Sequence, residues 1–105
     1  MIDIQPVIFN KNMTIEERIL YSYLLVKRTD VQEMLRHNMI SEEKCMKDGL
    51  FFTNHSNKEL CELLGCSTNK LIRVKGKLEK RGLLKQERTL DNVNRYYTFN
   101  EHKKV

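Results

Sequence analysis

Residues 56–85, SNKELCELLGCSTNKLIRVKGKLEKRGLLK, constrain the fold most, because they spell two short amphipathic helices separated by a glycine turn. Ser56 with Glu59 three residues on is a capping box, Leu60, Leu63 and Leu64 form an apolar face, and Gly65 sits where a left-handed C-terminal cap is wanted. Ser67 opens the second helix. Its Leu71, Val74 and Leu78 point inward, while Thr68, Asn69, Lys70, Arg73 and Lys77 lie on or near the opposite face. A helix of that kind suits a DNA major groove.

The flanking segments extend this unit in a definite order. Residues 50–53, Leu-Phe-Phe-Thr, follow an Asp48-Gly49 turn and are apolar enough for a first strand. Beyond Gly82, residues 83–89 and 95–99 are strand-like runs around a polar loop at 90–94, which predicts a hairpin. Strand, two helices and hairpin make an α+β, mainly α, winged helix-turn-helix with a short first strand and a two-stranded C-terminal wing.

Upstream, Thr14 and Glu17 cap a long helix whose Ile15, Ile19, Tyr23 and Val26, beside Leu20 and Leu24, form a broad buried stripe. Asp30 with Glu33 signals a break near Thr29 and a further short helix, and 37–47 carries no clear signal. Val7, Ile8 and Phe9 form an extended arm lying on the body of the domain. The 105 residues thus divide into an arm (1–13), scaffold and first strand (14–53), helix-turn-helix (54–82), wing (83–99) and tail (100–105), one domain throughout.

Charge is unevenly shared. Residues 1–53 hold 7 basic and 8 acidic side chains, a net −1, whereas 54–105 hold 12 and 6, a net +6. The basic half is the helix-turn-helix half, as a polyphosphate partner would select, although a membrane surface or an acidic protein would select it too. No window approaches 18 apolar residues and no secretory leader opens the chain, which predicts a cytoplasmic protein without a membrane partner. Three cysteines, Cys45, Cys61 and Cys66, are then expected to be reduced thiols.

IQPVIF, TIEERILYSYLL and FFTNHSNKELCELLGCSTNKLIRVKGKLEKRGLLKQE resemble three parts of one family: the N-terminal domain of RepA-type replication initiators of Gram-positive plasmids and mobile elements. They match its lead-in, its first long helix, and its strand, helix-turn-helix and first wing strand. The resemblance covers residues 4–99 and implies a winged-helix domain that binds DNA in replication. Lys75 and Gly76 depart from the family pattern, which has better helix formers there and often an apolar residue at Lys75. A mid-helix Gly costs roughly 1 kcal/mol relative to Ala, predicting a bent or weakened helix. Family initiators also carry a further C-terminal domain engaging the host machinery, for which these 105 residues leave no room, so a larger partner is expected.

Thr68, Asn69, Lys70 and Arg73 are the candidate base readers, since Arg to guanine and Asn to adenine are the strongest contacts available. Lys58, Lys77, Arg88 and Arg95, with Asn92 and Asn94 at the wing, are candidate backbone contacts. The bland reading of all of them is a solvated surface. Strand alternation sends Tyr97 and Phe99 to the core and leaves Tyr96 for solvent, a thin platform for stacking single-stranded bases. Cys61 and Cys66, spaced C-x4-C near His55, fit a zinc site poorly, and His37 and His102 read as surface residues. No metal or other cofactor is expected. Catalysis lacks support, because the glycines are scattered and the pairs Glu16-Glu17 and Glu42-Glu43 read as capping or solvated groups. A non-enzymatic DNA binder is the favoured reading. Its rivals are an accessory subunit for a polymerase, primase or helicase, and a transcriptional regulator on a palindromic site. A homodimer sharing part of the first helix fits any of the three.

Overall fold

The computed structural model describes residues 12–89 and 93–99. The arm at Val7, Ile8 and Phe9, the loop residues 90–92 and His102 lie outside them. Helix α1 (Ile15–Arg36) begins at Thr14, whose hydroxyl accepts from the Glu17 amide at 3.2 Å. It runs unbroken through Thr29 and Asp30, against the predicted break. An N-cap signature ends a helix only where the backbone leaves helical geometry, and Thr29-Asp30 contains neither Gly nor Pro to force that. Arg28 also anchors this stretch by donating to the Thr98 carbonyl at 2.6 Å. The helix ends about two turns later, where Asn38 is left-handed (φ 57) and the Met39 amide reaches back to the Met34 carbonyl at 2.8 Å.

The buried face of α1 is Glu17, Leu20, Tyr21, Leu24 and Leu25. Ile15, Ile19 and Val26 lie roughly half a turn away from it and are exposed (65%, 43% and 46%), which corrects the predicted stripe. Leu20 and Leu24 were shared by both readings, and neighbouring Tyr21 and Leu25 turned the choice. Glu17 stands in the middle of the buried face, a place that hydrophobic patterning alone would never give a carboxylate.

After a 3-10 turn (Glu42–Lys44), β1 (Met46–Lys47) and β2 (Leu50–Phe51) form a small hairpin. Asp48 and Gly49 both adopt positive φ (52 and 79) at its tip, as a two-residue hairpin turn requires. The strand expected at 50–53 therefore splits. Its first half belongs to this hairpin, and the strand that joins the wing is β3 (Thr53–Ser56).

Ser56 ends β3 and caps α2 (Asn57–Leu64), accepting from the Glu59 amide at 3.1 Å. Gly65 closes α2 in left-handed geometry (φ 62), with the Cys66 amide returning to the Cys61 carbonyl. Ser67 caps α3 (Thr68–Lys80), which runs as one helix through Lys75 and Gly76. Strands β4 (Leu84–Arg88) and β5 (Val93–Thr98) complete an antiparallel sheet in the order β3-β5-β4, with Tyr96 opposite both Thr53 and Gln86. Among the described residues three helices on a three-stranded sheet, plus the small hairpin, make an α+β, mainly α, winged helix.

Leu20 and Leu24 of α1, Leu60 of α2, Leu71 and Leu78 of α3 and Tyr96 of β5 meet in one core. Leu63, placed on the inward face of α2 by its spacing, is instead 37% exposed. Each fully buried Leu contributes about 1.5–3 kcal/mol. Tyr21 and Arg28 of α1 donate to the carbonyls of Phe99 and Thr98, so the first helix holds the end of the central strand as well as the back of α3.

Candidate nucleic-acid interface

Helix α3 buries Leu71, Val74, Lys75 and Leu78, which fixes what it shows outside. At about 100° per residue, Asn69, Arg73, Gly76 and Lys80 fall opposite that buried side. Thr68 and Ile72 lie on one flank of this outward face, and Lys70 and Lys77 on the other. Asn69 and Arg73 are exposed one turn apart, and neither Arg73 nor Lys80 has an ion pair among the described residues. Ile72, 54% exposed, was not singled out from the sequence. Its place beside Asn69 and Arg73 was legible in the helical period, but an aliphatic residue gives no chemical signal on its own.

The second flank is tied to α1. Lys70 Nζ lies 3.7 Å from Glu16 Oε1, and Lys77 Nζ lies 3.9 Å from Glu17 Oε1. Glu17, only 1% exposed, also accepts from Arg81 Nε at 3.2 Å, and Arg81 donates further to the Asn12 carbonyl. The adjacent carboxylates at the start of α1 are thus neither idle caps nor solvated groups. They grip α3 along one side.

Of the remaining candidates, Lys58 is exposed in the first turn of α2, and Arg88 is exposed where β4 pairs with Asn94 of β5. Arg95 is half-committed, its guanidinium carbon 4.6 Å above the Phe52 ring and its backbone paired to Asn54 and Glu87. Asn92 lies outside the described residues. The exposed cations among these candidates therefore fall on α3, on the start of α2 and on the wing, and Thr68 bends back toward Cys61, its hydroxyl 3.8 Å from Sγ.

Tyr96 and Tyr97 are both buried (1% and 3%), so alternation fails for β5 and the stacking platform loses its exposed ring. The reason is cover on both faces. Tyr96 turns toward α3, while Tyr97 packs on Phe52 with ring centroids 5.8 Å apart. Burial pushes the Tyr96 hydroxyl up to about 12. On the outer face Tyr97 donates to Glu87, and that hydrogen bond, with Lys47 at 3.3 Å, holds the Glu87 carboxyl below its usual range.

Under the helix-turn-helix runs a chain of polar contacts that the sequence did not announce. His55 Nδ1 lies 2.7 Å from Glu59 Oε2 and its Nε2 lies 2.8 Å from the Thr53 hydroxyl, while Tyr23 donates to the same Glu59 oxygen at 2.7 Å. Facing a carboxylate, Nδ1 carries the proton. Glu59 is pulled two ways: burial raises its carboxyl, but the bonds from Tyr23 and His55, helped by nearby positive charge, leave it below the ordinary value. Tyr23 is pushed up to about 12 by its bond to Glu59 and by burial. His55 is thereby engaged within the fold, Cys61 and Cys66 pack beside the core, and burial raises the Cys66 thiol. Among the described residues no three His, Cys, Asp or Glu side chains are grouped to hold a metal. No described helix is long and apolar enough to cross a membrane.

The arrangement is similar to solved structures. One described as the N-terminal domain of a DNA binding protein is 29% identical, with a TM-score of 0.65 over 99% of this chain and 77% of that one. Another, described as the structure of a Rep–DNA complex, is also 29% identical, with a TM-score of 0.64 and the same coverage. A third, described as the structure of an MDR initiator, shares the fold at 24% identity and a TM-score of 0.63, over 99% of this chain and 79% of that one. No curated protein matches. The model of the replication initiator protein A (RepA) N-terminus matches residues 6–104, and the chain belongs to that family.

Proposed function

We propose that residues 1–105 act as one non-catalytic unit that binds double-stranded DNA in the replication of a plasmid or other mobile element, in the bacterial cytoplasm. The observation that carries this reading is the outward face of α3, where Asn69 and Arg73 stand one turn apart with Lys80 beyond them and Lys70 and Lys77 alongside. Asn and Arg are the side chains that read adenine and guanine bidentately, and Thr68 and Ile72 add a hydroxyl and an apolar contact suited to a thymine methyl. Lys58, Arg88, Asn94 and Arg95, with Asn92, serve the phosphate backbone from either side. Similarity to a chain described in a Rep–DNA complex supports the reading.

The test is affinity against salt concentration. Each phosphate neutralised contributes a slope of about −0.9 in log–log form, so four such contacts give about −3.6. Arg73→Ala with Lys70→Ala should abolish preference for a selected duplex. Binding that ignores salt and survives that double substitution would sink the proposal.

A second contact, with protein, is favoured by one observation: Ile15, Ile19 and Val26 form an exposed apolar row on the side of α1 away from the core. A second copy of the chain or a replication enzyme such as a polymerase, primase or helicase would cover it. Ile19→Glu should then shift the measured mass in solution, or release a purified enzyme partner. An unchanged mass and unchanged enzyme binding would remove this contact.

A further inference from the structure

Lys75 is the one buried lysine among the described residues, 3% exposed and on the core side of α3. Its ammonium donates to Asn57 Oδ1 at 2.9 Å and to the Tyr96 hydroxyl at 3.0 Å, and sits 5.4 Å from the centroid of the Tyr96 ring. No carboxylate lies within ion-pair reach of it among the described residues. Glu79, one turn along α3, accepts from Gln86 at 2.8 Å and acts on Lys75 only from beyond ion-pair distance.

Simple stability does not account for this arrangement. A buried cation held by two neutral groups is poorly compensated for its lost hydration, and an apolar residue of similar volume would pack there at lower cost. What the lysine supplies instead is direction. Asn57 is the first residue of α2, and Tyr96 is in the central strand of the sheet, paired to Thr53 on one side and Gln86 on the other. An apolar contact tolerates sliding and rotation, whereas two hydrogen bonds from one nitrogen fix α3 against both partners at once. Holding the middle of the central strand fixes the neighbouring strands too.

We propose that Lys75 is a positioning residue that sets the wing against the reading helix, so that Asn69 and Arg73 on α3 and Arg88 on β4 meet one duplex together. This rests on the DNA-binding reading for its consequence, but not for its geometry, and the two can fail separately.

The experiment compares Lys75→Met, Tyr96→Phe and the double substitution in the full chain. Thermal unfolding checks that each is folded; Tyr96→Phe, which removes only a hydroxyl, serves if Lys75→Met does not fold. Amide hydrogen exchange without DNA should be faster in β4 and β5 of either single variant, while α1 keeps its protection. Affinity for a duplex selected by the wild-type chain should fall about tenfold in either variant, with no further loss in the double, whereas affinity for a random duplex stays unchanged. Unchanged wing exchange in both single variants would overturn the coupling. Faster exchange with unaltered affinity for the selected duplex would overturn its role in reading. If the wild-type chain selects no duplex, the DNA-binding reading fails, and exchange still decides whether Lys75 holds the wing.

Discussion

Gly76 gives a prediction whose size follows from the structure. It occupies the middle of α3 with no positive φ, and a methyl group built on it meets no described atom within 4 Å. Nothing among the described residues therefore needs a glycine there. In a helix interior Gly is about 1 kcal/mol less favourable than Ala, because the unfolded chain loses more freedom on ordering. Gly76→Ala adds no clash and removes that penalty, so it should stabilise the domain by about 1 kcal/mol. For a domain near 100 residues this corresponds to a rise in Tm of roughly 4–8 °C. Urea unfolding followed by circular dichroism checks it, with the midpoint moving up at constant m. A lower midpoint would refute the reasoning, because it would mean that α3 is strained at this point or that something closes on the outward face in the folded state.

Other substitutions test the buried polar groups. Glu17→Ala strands Arg81 and Lys77, and because Arg81 is one-third exposed the loss should be about 2 kcal/mol, below the 3–5 typical of fully buried pairs; urea unfolding measures it. Leu71→Ala, deep in the core, should cost about 2–5 kcal/mol in the same assay. The Glu59–Tyr23 contact predicts two flanks in stability against pH. Glu59 titrates below its unfolded value, so its contribution is present above about pH 4.5 and is lost as pH falls through the folded pKa. Tyr23, raised from 10.0 to about 12, contributes fully below pH 10 and loses that contribution as pH rises toward 12; Tyr23→Phe should flatten the alkaline flank, and a flank unchanged in that variant would assign it elsewhere.

The helix-turn-helix was readable because its signals are local. Ser56, Gly65 and Ser67 punctuate it within a few residues of the groups they satisfy, and the 3.6-residue period of Leu71, Val74 and Leu78 admits one inward face. The hairpin β4–β5 was readable for the same reason. What failed depended on distant partners. Asp30 and Glu33 carry a start signal, yet α1 passes through it while Arg28 is held by β5, 70 residues away. The inward face of α1 could not be chosen between two apolar rows without knowing that Arg81 waits for Glu17. Tyr96 and Tyr97 defeat alternation because α3 covers one face of the strand and Phe52 the other.

The start of α1 also limits what α3 can offer a polyanion. Glu16 and Glu17 each sit by one basic residue of α3, at 3.7 and 3.9 Å, and they sit on the same flank. An approaching phosphate at that flank meets carboxylate as well as ammonium, so its attraction there is reduced and falls further with salt. Among the described residues Arg73 and Lys80 have no such neighbour, and they face outward with Asn69. Positive potential is therefore concentrated along the middle of the outward face rather than spread around the helix. A helix charged on every side would hold a phosphate backbone in many orientations. One neutralised along a flank favours the orientation that points Asn69 and Arg73 into the groove, which is the requirement for contacts that specify sequence rather than merely position the protein.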